Sequence, residues 1–476
     1  MGRASIAVSV AAIHGRAPHN KLNFRGFPRI ILSVPMLRLC LLFVLAAAWA
    51  GASGADLPAQ LTLSEALNIA LSNSTTIREA MAHLDQASGL YQQSRSALLP
   101  QLDVSARQSF QTLNLLGIGI DLPAAEGQSV AQGLIGPFGS MDARISLSQD
   151  LFNLATVRSW QSYRSRRESS RLLVDNSREI VALDVVAAYL EALKTKATRD
   201  SLAEQTKLAD ELYRLTRDRV RQGVSAELDA NRAAQKVNAL EQQWQQAAQS
   251  YVAAKLRLAN ILQAHITSEF EVADDAAYGA GTPPDRDAAI STALATRTDY
   301  RAAESSVRAA ELQVRSVKAS RLPTLGMTFG DGQSGSTPVN NVNTYKVQGS
   351  IDFPLYTGGR IRGQIEEAEG VLREARALLD RNRAQIETDV LTAISGVEWA
   401  LKEVETSARN VGLSRQEVAF TRARFAQGIS DNTEVVNAQD RLTQADDAQI
   451  RAKYLLGLAR ANLARAIGAA EKTYRK

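Results

Sequence analysis

The chain has 476 residues, 45% of them hydrophobic and 5% aromatic, with a single cysteine. That apolar content supports a folded core and excludes a disordered chain, and one cysteine excludes an intramolecular disulfide. The isoelectric point near 9.2 suggests an anion-binding protein, but Arg3, Arg16, Lys21, Arg25, Arg29 and Arg38 lie in an acid-free leader, and removing them leaves 49 basic against 50 acidic residues. The body is therefore near neutral, and no nucleic-acid partner is expected.

In chain order the first feature is residues 1–55. From Met36, MLRLCLLFVLAAAWAGASGAD has a short basic start, an apolar run and small residues suited to cleavage after Ala50, Ala52 or Ala55, with Ala55 favoured. The apolar run falls well short of the roughly 20 residues of a membrane-spanning helix. Residues 1–35 fit no targeting pattern, which makes Met36 an alternative start. Cys40 lies inside the apolar run, so the exported chain is expected to carry no thiol.

Beyond the leader the sequence repeats itself. LTLSEALNIALSNSTTIREA at 61–80 parallels DRDAAISTALATRTDYRAAE at 285–304, and the same offset of 223 sets ALLPQL (97–102) on SRLPTL (320–325). The offset becomes 205 for DRVRQGVS (218–225) against ARFAQGIS (423–430). This divides the chain into a leader at 1–55, a first repeat at 56–268, a linker at 269–286, a second repeat at 287–468 and a tail at 469–476. Long repeats of this kind are duplicated supersecondary units.

Each repeat reads as a short helix, a helix ending at proline, two strands and a long helical hairpin. Leu102, Val104 and Ala106 alternate with Asp103, Ser105 and Arg107; Met141, Ala143, Ile145 and Leu147 alternate with Asp142, Arg144, Ser146 and Ser148. In the second repeat Leu325, Met327 and Phe329, then Tyr345, Val347, Ile351 and Phe353, alternate with polar residues that include Lys346 and Asp352. Period two gives one apolar and one polar face. The Gly/Ser/Asn-rich stretch 330–343 reads as the loop between the second pair.

About 65 residues of helical period follow in each repeat, roughly 100 Å of helix. The stripes are Ile180, Leu183, Ala187 and Leu190, and Ile386, Val390, Ile394, Val397, Leu401, Val404, Ala408, Val411 and Val418; stripes of this kind form coiled-coil seams. Each long helix reverses at a glycine, Gly223 or Gly428, suited to a left-handed cap.

Four strands cannot close a membrane barrel, for which about eight is the common minimum, and open edges in lipid leave backbone groups unpaired. Sister subunits are therefore expected to complete it. Asp103, Arg107, Asp142, Arg144, Lys346 and Asp352 would line a wet lumen. The aromatics Phe152, Tyr345, Phe353 and Tyr356, with Phe110 and Phe138, would lie at the membrane interfaces. A soluble α+β protein and a periplasmic coiled-coil scaffold without a pore are the competing readings.

The two helix–Pro–strand junctions, the corner DFPLYTGGRIRG and the turns RVRQGVSAELDANRA and RFAQGISDNTEVVNAQ carry a resemblance to the outer-membrane efflux protein family, the TolC-like channels of tripartite pumps and type I secretion systems. The resemblance covers residues 61 to 468. It implies a fold that is mainly α with a small transmembrane β part: a homotrimer whose β-barrel continues as a coiled-coil α-helical barrel. It also implies an efflux or secretion duct in the outer membrane, a periplasmic adaptor (membrane fusion) protein, and an inner-membrane pump of RND or ABC type. The duct would pass small molecules, or protein in the type I alternative. Acids narrowing the family's tunnel entrance lie six and nine positions after the second turn glycine, which here are Glu434 and Asn437; Asn437 departs from the pattern. The first-repeat equivalents are Asp229 and Arg232, and the tips at Gly223 and Gly428 would contact the adaptor.

No catalytic arrangement emerges, so no enzyme activity, cofactor or metal is expected. His83 and His265 are isolated, GGRIRG at 358–363 lacks a phosphate-loop pattern, and Glu366-Glu367 point in different directions on a charged helix.

Overall fold

The structure, a computed structural model, describes residues 57–114, 119, 134–265, 269–273 and 283–475. The leader, with Met36, Cys40 and the expected cleavage sites, lies outside the described residues.

The first repeat contributes β1 (Gln60–Leu61), α1 (Leu63–Asn73), α2 (Thr75–Ser96), β2 (Gln101–Asn114), β3 (Leu134–Phe152), α3 (Leu154–Arg221) and α4 (Glu227–Ile261). The second contributes β4 (Glu271–Val272), α5 (Arg286–Thr296), α6 (Thr298–Ala319), β5 (Thr324–Gly335), β6 (Asn341–Asp352), α7 (Arg360–Ala426) and α8 (Asn432–Ala466), and α9 (Ala470–Tyr474) closes the chain. α1 and α5 are both 11 residues, α2 and α6 both 22, and α4 and α8 both 35; α3 and α7 are 68 and 67. Equal lengths at the sequence offsets mean that both repeats start and break their helices at corresponding positions, although the capping residues differ.

The capping signals are local. Thr62 and Glu65 form a reciprocal capping box at α1. Asn153 caps α3 by accepting from Thr156 N–H at 3.1 Å. α3 contains neither glycine nor proline, so nothing interrupts a helix about 100 Å long. Its second-repeat counterpart begins differently, at Gly358-Gly359 with φ of +58° and +86°.

β2, β3, β5 and β6 form one antiparallel sheet in that order. Both strands of the second pair run into the segment read from sequence as a loop: β5 extends to Gly335 and β6 begins at Asn341, leaving 336–340 as the turn. Ladder hydrogen bonds need no apolar side chain, and glycine suits this ladder sterically. A Cβ on Gly332 would lie 2.2 Å from the Ala143 carbonyl oxygen. The loop expectation is corrected accordingly.

The main core joins α1, α3, α4, α8 and α9 around the small parallel β1–β4 pair. Tyr189 is fully buried there, its hydroxyl 2.9 Å from Leu61 O and 2.7 Å from Ala273 O. The α3 stripe keeps Leu190 buried and Leu183 packed on the core, but the buried arc is wider than its sequence reading and excludes Ile180. Ile180 is exposed, and Val181, Ala182, Val185, Val186, Tyr189, Leu190 and Leu193 are buried. Several elements cover α3 here, so its buried arc is wide, and a three–four spacing does not fix where such an arc is centred. In α7 the stripe from Ile386 through Val390, Ile394 and Val397 is buried, whereas Ala408 is exposed and Ser407 lies inward. Among the described residues, no helix is long and apolar enough to cross a membrane.

Candidate functional site

Residues paired across an antiparallel sheet share a face, and pairing turns the four alternations into two surfaces. One row runs Leu102–Leu147–Phe329–Val347. The adjacent row, on the opposite face, runs Asp103–Ser146–Gly330–Lys346. Arg107 pairs with Asp142, Arg144 with Ser105, and Asp352 with Thr324, so the six residues read as lumen-facing fall together on the polar surface. Arg144 also grips Asp142 with two hydrogen bonds of 2.6 Å.

The apolar surface is solvent-exposed in the single chain: Leu102, Val104, Ile145, Val347 and Ile351 all rank as exposed. The outer edges of β2 and β6 have no partner strand among the described residues. A bulge at Leu151 moves Phe152 opposite Leu325 and so onto the apolar face. Phe353 follows β6 directly. Tyr345 departs from its sequence reading, lying inside β6 opposite Asp331 because the strand continues past it. Asp331 was hidden in the supposed loop; it lies on the apolar face, 3.4 Å from Asn343 Nδ2.

At the other end of the long helices the two hairpins meet. Gly223 and Gly428 have φ of +73° and +76°, a conformation that costs other L-residues about 1–2 kcal/mol. Val224 N–H donates to Arg219 O and Ile429 N–H to Arg424 O, both at 2.9 Å, closing the same cap twice. Leu212, Phe425 and Val435 form a small core between the hairpins. Arg219 donates to Phe425 O, and its guanidinium lies 4.7 Å from the Phe425 ring centre. Lys236 pairs with Asp440, and Arg422 reaches Glu211 at 2.9 Å. Arg441 hydrogen-bonds Glu417 and holds its carboxyl below the usual carboxylate range.

The candidate entrance residues lie in the first turns of α4 and α8. Glu434 and Asn437 are exposed one turn apart on α8. Glu434 N–H donates to Asp431 Oδ1 at 3.1 Å, and its carboxylate makes no ion pair among the described residues. Asp229 differs: its carboxylate lies 4.0 Å from Arg232, and its carbonyl accepts from Asn432 Nδ2 at 2.9 Å. Arg232 also donates to Thr433 Oγ1 at 3.2 Å. Asp229 thus has a cation at the edge of ion-pair distance, while Glu434 has none among the described residues. Sequence periodicity gave no sign of the Arg219–Phe425 and Lys236–Asp440 links, because they join residues about two hundred positions apart.

Two-faced strands with open edges, continuous with paired helices of about 100 Å and duplicated within one chain, define the class of outer-membrane channel subunits. The sequence model for outer membrane efflux proteins matches residues 66–263 and 289–469. The chain belongs to the outer membrane efflux protein family. It is 28% identical over 326 residues to the pyoverdine export outer membrane protein OpmQ of Pseudomonas putida, covering 64% of this chain and 65% of the relative. It is 23% identical over 316 residues to the toluene efflux pump outer membrane protein TtgF of Pseudomonas putida, covering 64% and 62%. The chain thus spans somewhat less than two thirds of the length of these relatives. The outer-membrane channel OprN superposes with a TM-score of 0.74 at 19% identity, covering 86% of this chain and 90% of OprN. The outer membrane protein VceC of Vibrio cholerae superposes with a TM-score of 0.73 at 18% identity, covering 86% and 96%. These likenesses establish the shared fold.

Proposed function

We propose that the chain is one subunit of a passive homotrimeric duct in the outer membrane of a Gram-negative-type bacterium. The open four-stranded sheet, with one apolar face, one polar face and two unpaired edges, carries this reading. Three copies joined β6 to β2 would close a twelve-stranded barrel, satisfying every edge group that lipid cannot. The polar face would then line water, and the long hairpins would extend the duct into the periplasm. A periplasmic adaptor would dock at the Gly223 and Gly428 tips, and an RND or ABC pump would supply energy. Glu434 would ring the entrance with three like charges, favouring cations, and Asn437 would leave that ring single.

Relatives named for export of pyoverdine and efflux of toluene favour small molecules as cargo over secreted protein. Purified protein in planar bilayers tests the duct: discrete conductance is expected, with cation preference reduced in Glu434→Gln. Protein that leaves the membrane without detergent and never conducts would sink the reading in favour of a scaffold. Conductance with selectivity untouched by Glu434→Gln would remove only the role of Glu434.

A further inference from the structure

The four segments joining sheet to helix share one composition. RSALLP (95–100), NLATVR (153–158), KASRLP (318–323) and FPLYTGGRIR (353–362) together carry Arg95, Arg158, Lys318, Arg321, Arg360 and Arg362 and no acid. Two of the six are paired within the chain, Lys318 with Glu369 at 2.7 Å and Arg362 with Glu366 at 3.0 Å. Arg95, Arg158, Arg321 and Arg360 form no ion pair among the described residues; Arg158 reaches only Gln161 and Arg360 only Gln364. The same segments hold exposed apolar side chains: Leu99, Leu322, Leu355 at 85% and Tyr356 at 91% exposure.

The opposite end of the sheet also exposes apolar side chains, among them Phe110, Leu134, Val339 and Val342, but it lacks the basic residues. Residues 108–114, 134–140 and 333–343 contain no charged side chain. These six basic residues therefore lie on the helix side of the sheet, while Arg107, Arg144 and Lys346 sit within it on the polar face. Arg158 is the fifth residue of α3 and Arg360 the first of α7, within about 6 Å of their helix starts at 1.5 Å per residue. That depth matches a headgroup layer of about 5–7 Å beyond the hydrocarbon. An exposed leucine or tyrosine next to an unpaired guanidinium suits a surface that is apolar on one side and anionic on the other.

We propose that this sheet–helix junction is a collar for anionic phospholipid headgroups, with Arg95, Arg158, Arg321 and Arg360 binding phosphate and Leu99, Leu322, Leu355 and Tyr356 entering the leaflet. The inference rests on the reading that the sheet lies in lipid. Arginine suits the role because its planar fork matches two phosphate oxygens.

The test is native mass spectrometry of the full-length detergent-solubilised assembly, titrated with phosphatidylglycerol and, separately, phosphatidylethanolamine. Wild type is expected to retain phosphatidylglycerol preferentially, and each arginine-to-glutamine change to weaken that retention about fivefold. The combined variant Arg95→Gln/Arg158→Gln/Arg321→Gln/Arg360→Gln should lose the preference while still requiring detergent and conducting normally. Arg321→Gln and Arg360→Gln singly carry the test if the combined variant does not assemble. Equal retention of both lipids by wild type, or an unchanged preference in the variants, overturns the collar and leaves the duct intact. Altered ion selectivity with unchanged lipid retention overturns it by assigning the arginines to the lumen. Loss of binding to isolated peptidoglycan sacculi with unchanged lipid retention overturns it in favour of the cell wall. Wild-type protein that needs no detergent removes the duct reading itself, and the collar with it.

Discussion

Arg297 Nη1 lies 3.0 Å from Asp389 Oδ2, tying the start of α6 to the middle of α7. The same guanidinium holds Asp299 through Nε at 3.1 Å and Nη2 at 2.6 Å, with the Arg297 side chain only 8% exposed. Arg465 of α8 approaches Asp299 at 3.9 Å and donates to Asn176 of α3 at 2.7 Å. At the sequence offsets, Arg297 and Asp389 correspond to Ser74 and Asp184. Ser74 is buried, whereas Asp184 is exposed and forms no ion pair among the described residues. The duplication therefore kept the helices but built an ionic brace in one repeat only.

Removing one partner of a buried ion pair costs about 3–5 kcal/mol, and the partly solvated carboxylates here reduce that to about 2–3 kcal/mol. Arg297→Met is expected to lower the thermal midpoint of helix loss, followed by circular dichroism at pH 7.5. An unchanged midpoint would show that the brace contributes nothing net.

Burial raises Asp299, but the hydrogen bonds and charge of Arg297 outweigh it and hold the carboxyl below its ordinary range. Glu471 is likewise held low, by Arg178 hydrogen bonds at 2.9 and 2.6 Å. For depressed carboxyls the stability is present above their unfolded pKa, about 4, and is lost as pH falls through the folded values. Thermal melts from pH 7 to pH 3 should therefore drop below about pH 4, less steeply in Arg297→Met.

Glu179 runs the other way. Burial pushes its carboxyl up although it accepts from Ala470 N–H at 2.7 Å. A raised folded pKa means stability that is complete at low pH and lost as pH rises through that value. Glu179→Gln keeps an acceptor without the charge and should melt at or above wild type at pH 7.5. Glu179→Ala, which orphans the Ala470 N–H, should lose about 1–2 kcal/mol. Equal melting of the two variants would argue against this account.

Arg219 clamps the tip through one hydrogen bond and one ring contact with Phe425. Arg219→Ala should cost about 1–2 kcal/mol locally and speed tryptic cleavage near the turns about tenfold. Arg219→Lys, which keeps charge but not the planar face, should fall between. Cleavage unchanged in both would assign the clamp no role.

On the sheet, Val347 and Gln348 are neighbours on opposite faces. Val347→Arg places a charge toward the proposed lipid, costing about 2–4 kcal/mol, and should sharply reduce the detergent-requiring fraction. Gln348→Arg should be tolerated. Equal insertion of both would contradict the assignment of faces.

The helix lengths, their offsets, the two turn glycines and the alternation of the strands follow from capping, breaking and periodicity along a few neighbouring residues, and these the sequence determined by itself. The strand ends around 330–343, the inward side of α3 near Ile180, the bulge that turns Phe152 and the placement of Asp331 did not follow from it. Each depends on which backbone or helix lies alongside, and glycine at 332 reveals its purpose only when Ala143 is beside it. The tertiary structure alone decided the contacts that join the repeats, Arg219 with Phe425 and Lys236 with Asp440, and the brace within the second repeat, Arg297 with Asp389. These pairs lie about two hundred and about ninety residues apart, and no local pattern encodes a contact whose partner is supplied by folding the chain back on itself.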